Sequence, residues 1–294
     1  MKWLLLVFAG WSTLVGGLFL ATLSGDVAVQ LFSLEKNSKL LIQGLVMSGL
    51  VVPIILYWYQ RVYRMTGVTP KTPVYSWKRF YHFFTGVLLA IGLASLGFII
   101  AISQGWIVFE KWHTPDQWII ALLINVFIAF LYEALPEELA LRGMVYDVLR
   151  NRFVAWQAVL FQTLLFVAAP IAVTQIQVLV GLDPGNAINM PYIILMFCFG
   201  ICLQLLRLWT GSLWTGIGFH LAYLEITRFV IWPDIYGVPP IITYQGGLGI
   251  GGLFISLGMI VIGSIIVSLI ILVAKRYMRK SGQFNHIHPK KIVE

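Results

Sequence analysis

Four charged residues stand at the end of one of the most apolar segments of the chain. The segment WIIALLINVFIAF is followed by LYEALPEELALRG, residues 131–143, which carries Glu133, Glu137, Glu138 and Arg142. A carboxylate with a raised pKa and a suitable partner can act as a general base. An arginine four positions further along a helix can pair with such a carboxylate. The residue types and their spacing therefore indicate either acid–base chemistry or an ion pair that stabilises a helix.

A second group of ionisable residues lies further along the chain in GSLWTGIGFHLAYLEITRF, residues 211–229. His220 falls near the middle of this apolar stretch and is the only histidine predicted to be buried within a span, since His82 lies at a predicted cytoplasmic boundary. Its position indicates a functional role, because ionisable groups inside membranes usually pair or take part in function. Glu225 and Arg228 are three positions apart, and for them a structural ion pair is the better interpretation.

The order of residues predicts how the first group is arranged. Pro136 suits the first turn of a helix, so the chain is expected to kink or restart there. Glu138 and Arg142 can then pair on one face, while Glu137 points about 100° away. Each charge in a span costs about 2.5–3.5 kcal/mol on insertion scales. We therefore predict that the arginine holds one glutamate and that the other faces a polar cavity.

The composition defines the surroundings in which these residues must work. Of the 294 residues, 59% are hydrophobic and 11% are charged, and the mean hydropathy is +0.87. Soluble globular proteins carry about 25% charged residues. The chain is therefore predicted to be an all-α polytopic protein of the lipid bilayer. The net charge of +8 does not indicate a nucleic-acid partner, because the Lys and Arg residues cluster beside the ends of apolar segments.

Eight segments are long and apolar enough, or nearly so, to cross a bilayer, which takes about 20 residues. They are residues 3–23, 40–60, 82–103, 117–141, 153–173, 191–207, 209–232 and 250–274. We interpret the chain 1–294 as a single membrane domain. Its parts are the N-terminal spans (1–116), a motif-bearing core (117–232), the last span (233–274) and a basic cytoplasmic tail (275–294).

The basic residues predict the orientation of these spans. With both termini in the cytoplasm, sixteen of the twenty Lys and Arg residues fall on the cytoplasmic side and four on the outer side. Cytoplasmic segments of membrane proteins carry an excess of Lys and Arg. We therefore predict that both termini are cytoplasmic and that the segments WIVFEKWHTPDQW and VIWPDIYGVPP form outer loops.

Two motifs resemble those of a known family of membrane proteins. The stretch PEELALRGMVYDVLRNRF resembles the EExxxR motif of the CPBP family, with Glu137, Glu138 and Arg142 at the motif positions. The family comprises type II CAAX prenyl endopeptidases, bacteriocin-processing and immunity proteins, and the abortive-infection (Abi) membrane proteins. The stretch SLWTGIGFHLAYL resembles the later histidine motif, with His220 at the histidine. The resemblance covers roughly residues 117 to 232.

The resemblance implies an intramembrane peptide hydrolysis whose catalytic residues are only partly present. In the family, the first Glu and the histidine of an FxxxH motif on the next span activate a water molecule. A later histidine, with an Asn or Asp four residues on, stabilises the oxyanion. Here LLFVAAPI fits the FxxxH segment with Phe166 at the phenylalanine, but the histidine position is Pro170. The position four residues after His220 is Leu224.

Neighbouring polar residues do not restore the missing groups. Gln162, Thr163 and Gln204 lie in adjacent predicted spans, and a glutamine can orient water but cannot accept its proton. Glu137, Glu138, Arg142 and His220 are therefore the candidate residues of an incomplete site.

We predict no metal and no cofactor. Zinc sites usually have three or four protein ligands, and His220 is alone in the predicted spans. Cys198 and Cys202 are interpreted as free buried thiols.

Three functions stay open at this point. The first is a catalytically compromised member of the CPBP family that binds a membrane-protein or cell-envelope partner through its polar cavity. The second is an active endopeptidase with a remodelled site that takes CAAX-like or leader peptides as ligands. The third is a transporter that uses the same residues as a substrate or proton path. The distribution of the family implies a bacterial plasma membrane as the location.

Overall fold

A computed structural model describes residues 2–66, 79–182, 188–245 and 249–287 of the chain. The elements are α1 (Lys2–Phe32), α2 (Lys36–Thr66), α3 (Tyr81–Ser103), β1 (Val108–Trp112), α4 (Pro115–Arg150), α5 (Ala155–Leu179), α6 (Met190–Thr210), α7 (Leu213–Ile226), α8 (Pro233–Tyr236), β2 (Ile242–Gln245) and α9 (249–287). The π turn Thr227–Ile231 continues α7. The last part of the predicted basic tail, residues 288–294, lies outside the described residues.

Among the described residues, seven helices are long and apolar enough to cross a membrane, namely α1 to α6 and α9. The prediction of an all-α, multi-pass membrane protein is thereby confirmed. The remaining predicted span, 209–232, corresponds to α7, which has only 14 residues before its π continuation. The count of eight spans and the cytoplasmic position of both termini therefore stay predictions.

The outer surface of the bundle suits contact with lipid. Large apolar side chains point outward from several helices, among them Leu88, Ile99 and Ile120, which are 68%, 65% and 68% exposed. In water such a surface would be costly, but lipid tails are as apolar as these side chains. The bundle therefore contacts the bilayer with its apolar surface and keeps its polar side chains inside.

Helix α7 lies inside the bundle and packs closely against α3. The two backbones touch at paired glycines: a Cβ atom on Gly86 would collide with the carbonyl of Thr215, and one on Gly218 with the carbonyl of Phe83. Ten of the 14 residues of α7 are buried. This central position explains how a short helix can carry ionisable side chains within the membrane, since other helices rather than lipid surround it.

Helix α4 does not restart at Pro136 but continues through the motif with a change of hydrogen-bonding pattern around that residue, and the expected kink stays a prediction. It passes through a π segment at Phe130–Ala134, an α segment at Leu135–Glu137 and a second π segment at Glu138–Val145. The missing N–H of Pro136 is tolerated next to a π turn, because local π adjustments satisfy freed backbone groups. The helix continues to Arg150, so the fourth span is longer than the predicted 117–141.

A strand within one predicted outer loop pairs with a strand that follows the other predicted loop. Strands β1 and β2 form an antiparallel two-stranded sheet in which Val108 faces Gln245 and Trp112 faces Ile242, with a bulge between Phe109 and Lys111. This small sheet was not predicted, and the outer position of the loops stays a prediction. Because the two strands are far apart in sequence, no turn signal between them could have indicated the pairing.

Candidate functional site

The predicted pair between Glu138 and Arg142 is present in the centre of the molecule. Arg142 Nη1 lies 3.2 Å from Glu138 Oε1, and both side chains are fully buried. The guanidinium carbon of Arg142 also lies 4.0 Å from the centre of the Phe166 ring on α5. A cation over an aromatic face is attracted to the ring, so α5 contributes to holding the pair.

His220 joins this pair from helix α7. Its Nδ1 lies 3.8 Å from Glu138 Oε1, and its ring meets the Phe199 ring edge-on with 4.9 Å between centroids. Gly216, one turn earlier on α7, makes room for the glutamate, because a Cβ atom there would collide with Glu138 Oε2. Three of the four predicted site residues, from two helices far apart in sequence, therefore meet around one carboxylate.

Glu137 occupies a different position from its neighbour in the sequence. It is partly exposed, whereas Glu138 is fully buried. Its carboxylate interacts electrostatically with Glu133 and, from the first turn of α6, with Tyr192. The prediction that the two glutamates point in different directions agrees with this arrangement, and Glu137 is the more accessible of the two carboxylates.

The expected polar cavity does not extend to the Glu138–Arg142 ion pair. Glu138 and Arg142 are 0% exposed and His220 is 3% exposed, so these three side chains do not line an open space. The reason is close packing: Phe166 covers the arginine and Gly216 lets α7 approach the glutamate. Within the described residues, neither oxygen of Glu138 has a hydrogen bond of normal length and angle. The ion pair therefore lies in a closed polar core.

Pro170 lies at the height where the missing histidine would act. Phe166 is in contact with Arg142, and α4 and α5 are consecutive membrane-spanning helices, so they run in opposite directions. One turn back along α4 leads to Glu138, and one turn forward along α5 leads to Pro170. Because α4 continues to Arg150, Glu138 lies further from the end of its helix than the predicted span 117–141 implies.

Leu224 occupies the position of the second missing group. It is one turn beyond His220 on α7 and partly buried. Its side chain has no hydrogen-bond donor, so it cannot stabilise a developing negative charge. The two positions at which the sequence departs from the family motif are therefore both near the polar core, and both carry side chains without acid, base or donor.

Arg228 pairs with Glu133 and not, as predicted, with Glu225. Arg228 donates to Glu133 Oε1 at 2.5 Å and to Asn125 Oδ1 at 3.0 Å, both on α4. Glu225 is buried, and within the described residues neither of its carboxylate oxygens has a hydrogen bond. Arg228 lies on the π turn that follows α7, which changes the direction of its side chain relative to a regular helix.

A second network joins α2, α4 and α6 and was not predicted. Arg207 Nη2 donates to Asp147 Oδ1 at 2.7 Å, and the Tyr59 hydroxyl donates to Asp147 Oδ2 at 3.3 Å. The Arg207 guanidinium also lies 5.0 Å from the ring centre of Tyr146. The partners are at least 60 positions apart, so helical spacing could not have revealed them.

The donor set of the described residues does not resemble a metal site. In those ranges, no group of three or more His, Cys, Asp or Glu side chains is placed to hold a metal ion. Cys198 and Cys202 are free thiols. Near His220 the one carboxylate at close range is Glu138, which already pairs with Arg142.

Fold and site together define a multi-pass α-helical membrane protein with a closed polar core of Glu138, Arg142 and His220. Residues 119–223 match the family model described as Type II CAAX prenyl endopeptidase Rce1-like. This match confirms the resemblance to the CPBP family, and the chain is a CPBP-like integral membrane protein. Comparisons with curated proteins and with solved structures gave no match.

Proposed function

We propose that the protein is a catalytically compromised CPBP-like membrane protein that binds a membrane-protein or cell-envelope partner. The partner contacts the partly exposed Glu137, which precedes the closed polar core in the sequence. The proposed location is a bacterial plasma membrane. A partner of suitable chemistry is a transmembrane segment or peptide that presents hydrogen-bond donors to this carboxylate.

The observation that carries the proposal is the position of Pro170. It lies one turn from Phe166, and counting along the two helices puts it level with the position of Glu138 on α4. In the family, a histidine at this position activates water with the first glutamate. Proline has neither a basic atom nor a backbone N–H to donate. Leu224 likewise offers no donor to an oxyanion, and loss of one such donor alone costs about 10²–10³ in rate. The absence of a base at Pro170 and of a donor at Leu224 supports a loss of hydrolytic activity.

The polar residues that persist favour binding. A charge inside a membrane is costly even when it is paired, and replacing a buried ion pair by apolar residues is often neutral or stabilising. Glu138, Arg142 and His220 are nevertheless arranged as one contact group. Glu137 stands beside them, partly exposed and without a salt-bridge partner within 4 Å among the described residues. A polar partner would compensate the cost of that carboxylate.

A second candidate function is residual peptide hydrolysis, and the contact of His220 with Glu138 favours it. The 3.8 Å between His220 Nδ1 and Glu138 Oε1 is close to hydrogen-bond reach. Catalytic hydrogen bonds are often long in the absence of substrate and shorten when it binds. Such a site would work without the histidine at position 170 and with only part of its oxyanion stabilisation.

One experiment separates these candidates. The protein is purified in lipid and incubated with prenylated and leader-type peptides, beside Glu137→Ala and a double variant Pro170→His/Leu224→Asn. We expect no cleavage by the wild type and measurable cleavage by the double variant. Replacing Pro170 also restores a backbone donor inside α5, so this change should not disturb the helix.

Cleavage by the wild type that disappears in Glu137→Ala would overturn the first candidate and support the second. For the binding role, the protein is isolated from its native membrane with and without Glu137→Ala. A stoichiometric membrane partner that is recovered with the wild type and lost or reduced with Glu137→Ala, in the absence of cleavage, supports binding through this carboxylate. Recovery of the wild type without any partner, together with no cleavage, would contradict both candidates.

A further inference from the structure

Two basic side chains from distant parts of the chain meet at the C-terminal end of α6. Arg79, two residues before α3, donates from Nη1 to the Gly211 carbonyl at 3.1 Å. Lys275, on α9, donates from Nζ to the Trp209 carbonyl at 2.9 Å. His82, in the first turn of α3, interacts electrostatically with both cations. We call Arg79, His82 and Lys275 the basic cluster.

The packing of α3 against α9 explains why the basic cluster forms. A Cβ atom on Gly97 would lie 3.0 Å from Met259 Cγ, and one on Gly263 would lie 3.4 Å from Leu93 Cδ2. The contact moves four residues back along α3 as it moves four residues forward along α9, so the two helices are antiparallel. Continuing this count to the first turn of α3 reaches the part of α9 directly before Lys275. The basic cluster therefore lies at one end of the contact between α3 and α9.

The positive charge of the basic cluster is not neutralised by the described part of the chain. In those ranges, neither Arg79 nor Lys275 has a carboxylate oxygen within 4.0 Å. Asp147, which contacts the last turns of α6, is paired with Arg207 at 2.7 Å. Both cations are exposed, and their contacts with α6 occupy one of the five N–H groups of the arginine and one of the three of the lysine. The basic cluster can therefore bind an anion with several acceptor oxygens.

The surroundings of the basic cluster indicate which anion it takes. Exposed apolar side chains follow it towards the centre of the bilayer on both helices. On α3 these are Phe84 and Leu88, and on α9 they are Ile270 and Val273, all between 52% and 68% exposed. A phospholipid offers both a phosphate and apolar chains, and basic sites between membrane helices bind anionic headgroups. Cations also stabilise the C-terminal end of a helix, so capping of α6 and lipid binding need to be separated by experiment.

We propose that Arg79, His82 and Lys275 bind the phosphate of an anionic phospholipid whose chains lie against the exposed apolar residues of α3 and α9. The two cations supply the charge, and the imidazole of His82 adds an N–H donor. The predicted orientation puts this end of the bundle in the cytoplasmic leaflet, where the anionic lipids are. The site is separate from the polar core and does not depend on whether the protein cleaves peptides or binds a partner. One bound lipid would connect α3, α6 and α9.

Native mass spectrometry of the full chain tests the proposal by counting the lipids that stay bound. The protein in detergent is incubated with phosphatidylglycerol and phosphatidylcholine that carry the same chains. We expect the wild type to retain phosphatidylglycerol in preference to phosphatidylcholine. The variant Arg79→Gln/Lys275→Gln keeps an N–H donor for each α6 carbonyl but removes both charges, so capping persists. It should lower the affinity for phosphatidylglycerol by about fivefold for each charge removed and leave that for phosphatidylcholine unchanged.

The matched control is Arg61→Gln/Arg64→Gln, which removes two exposed charges at the end of α2. This end lies on the same side of the membrane as the start of α3, because the two spans are consecutive. The control should retain phosphatidylglycerol as the wild type does. An equal loss in both double variants would mean diffuse attraction to the membrane surface and would overturn the proposal.

Two further outcomes would contradict a lipid site. Displacement of phosphatidylglycerol by inorganic phosphate at the same concentration would assign the basic cluster to a free anion. Equal retention of the two lipids by the wild type would overturn the proposal as well, and this comparison needs no variant to fold.

Discussion

The Glu138 carboxylate is the centre of the polar core, because it contacts Arg142 on its own helix and His220 on another. Taking two charges out of water is expensive, and the attraction between them offsets this cost only while both are present. The pair is therefore sensitive to the loss of one member and tolerant of the loss of both. This difference gives a test that does not depend on any activity.

We predict that Arg142→Met destabilises the protein by about 3–5 kcal/mol, because it leaves the Glu138 carboxylate buried and unpaired. The double variant Glu138→Gln/Arg142→Met should recover most of that loss, since no charge remains. Thermal unfolding in detergent, followed by tryptophan fluorescence, measures both effects. Strictly additive losses from the two single substitutions would show that the two side chains do not interact.

At this scale, the contacts that could be predicted from the sequence are those between neighbours on one helix. Glu138 and Arg142 are four positions apart, and helical geometry alone brings them together. Arg228 pairs with Glu133, which is 95 positions away, in preference to the nearby Glu225. Local spacing cannot predict such a choice, because it depends on how α4 and α7 pack and on the π turn at Arg228.

At the scale of elements, the close contact of α3 with α7 places His220 beside Glu138. Small residues at helix interfaces let backbones approach within membranes. Gly86 and Gly218 make that contact, each against a carbonyl of the other helix. Periodicity predicted both helices from their apolar residues, but it did not indicate which glycines face which partner. The π segments of α4 could not be predicted either, because they are defined by backbone hydrogen bonds between residues five positions apart.

We predict that Gly86→Ala destabilises the protein by about 1–3 kcal/mol, the usual cost of overpacking. The added methyl group would collide with the Thr215 carbonyl, so α3 and α7 must separate. The matched control is Gly92→Ala on the same helix, where a Cβ atom meets nothing within 4 Å. The control should be neutral or slightly stabilising, because alanine favours helices over glycine.

Thermal unfolding of the two glycine variants in one detergent provides the comparison. A labelling reagent that detects separation of α3 from α7, such as a crosslink between cysteines placed on the two helices, adds a structural readout. If Gly86→Ala unfolds at the same temperature as Gly92→Ala, the backbone contact between α3 and α7 does not stabilise the bundle.

On the scale of the whole molecule, composition alone was sufficient to predict a multi-pass membrane protein. An apolar surface facing lipid needs only apolar residues in long helices, and such segments are visible in any window of the sequence. The sheet of β1 and β2 was not predicted, since it joins two connections that are distant in sequence. The number of crossings was predicted as eight, and it depends on the short helix α7.

The length of α7 decides the topology. Its 14 residues and the 5 residues of the π turn that follows it extend about 28 Å at 1.5 Å per residue. This is close to the hydrocarbon thickness of about 30 Å. We therefore predict that α7 crosses the membrane as the eighth span, which puts both termini on the same side. The excess of Lys and Arg on that side identifies it as the cytoplasm.

Epitope tags at the two ends of the chain test this prediction in sealed vesicles of known orientation. Protease added to the cytoplasmic face should remove both tags, and protease added to the outer face should remove neither. A tag inserted after Gly105, between α3 and β1, is the control for the outer face, because the space around this glycine is open. Removal of the two terminal tags from opposite faces would mean an odd number of crossings. In that case α7 would lie within the bundle without crossing, and His220 would approach Glu138 from a re-entrant segment.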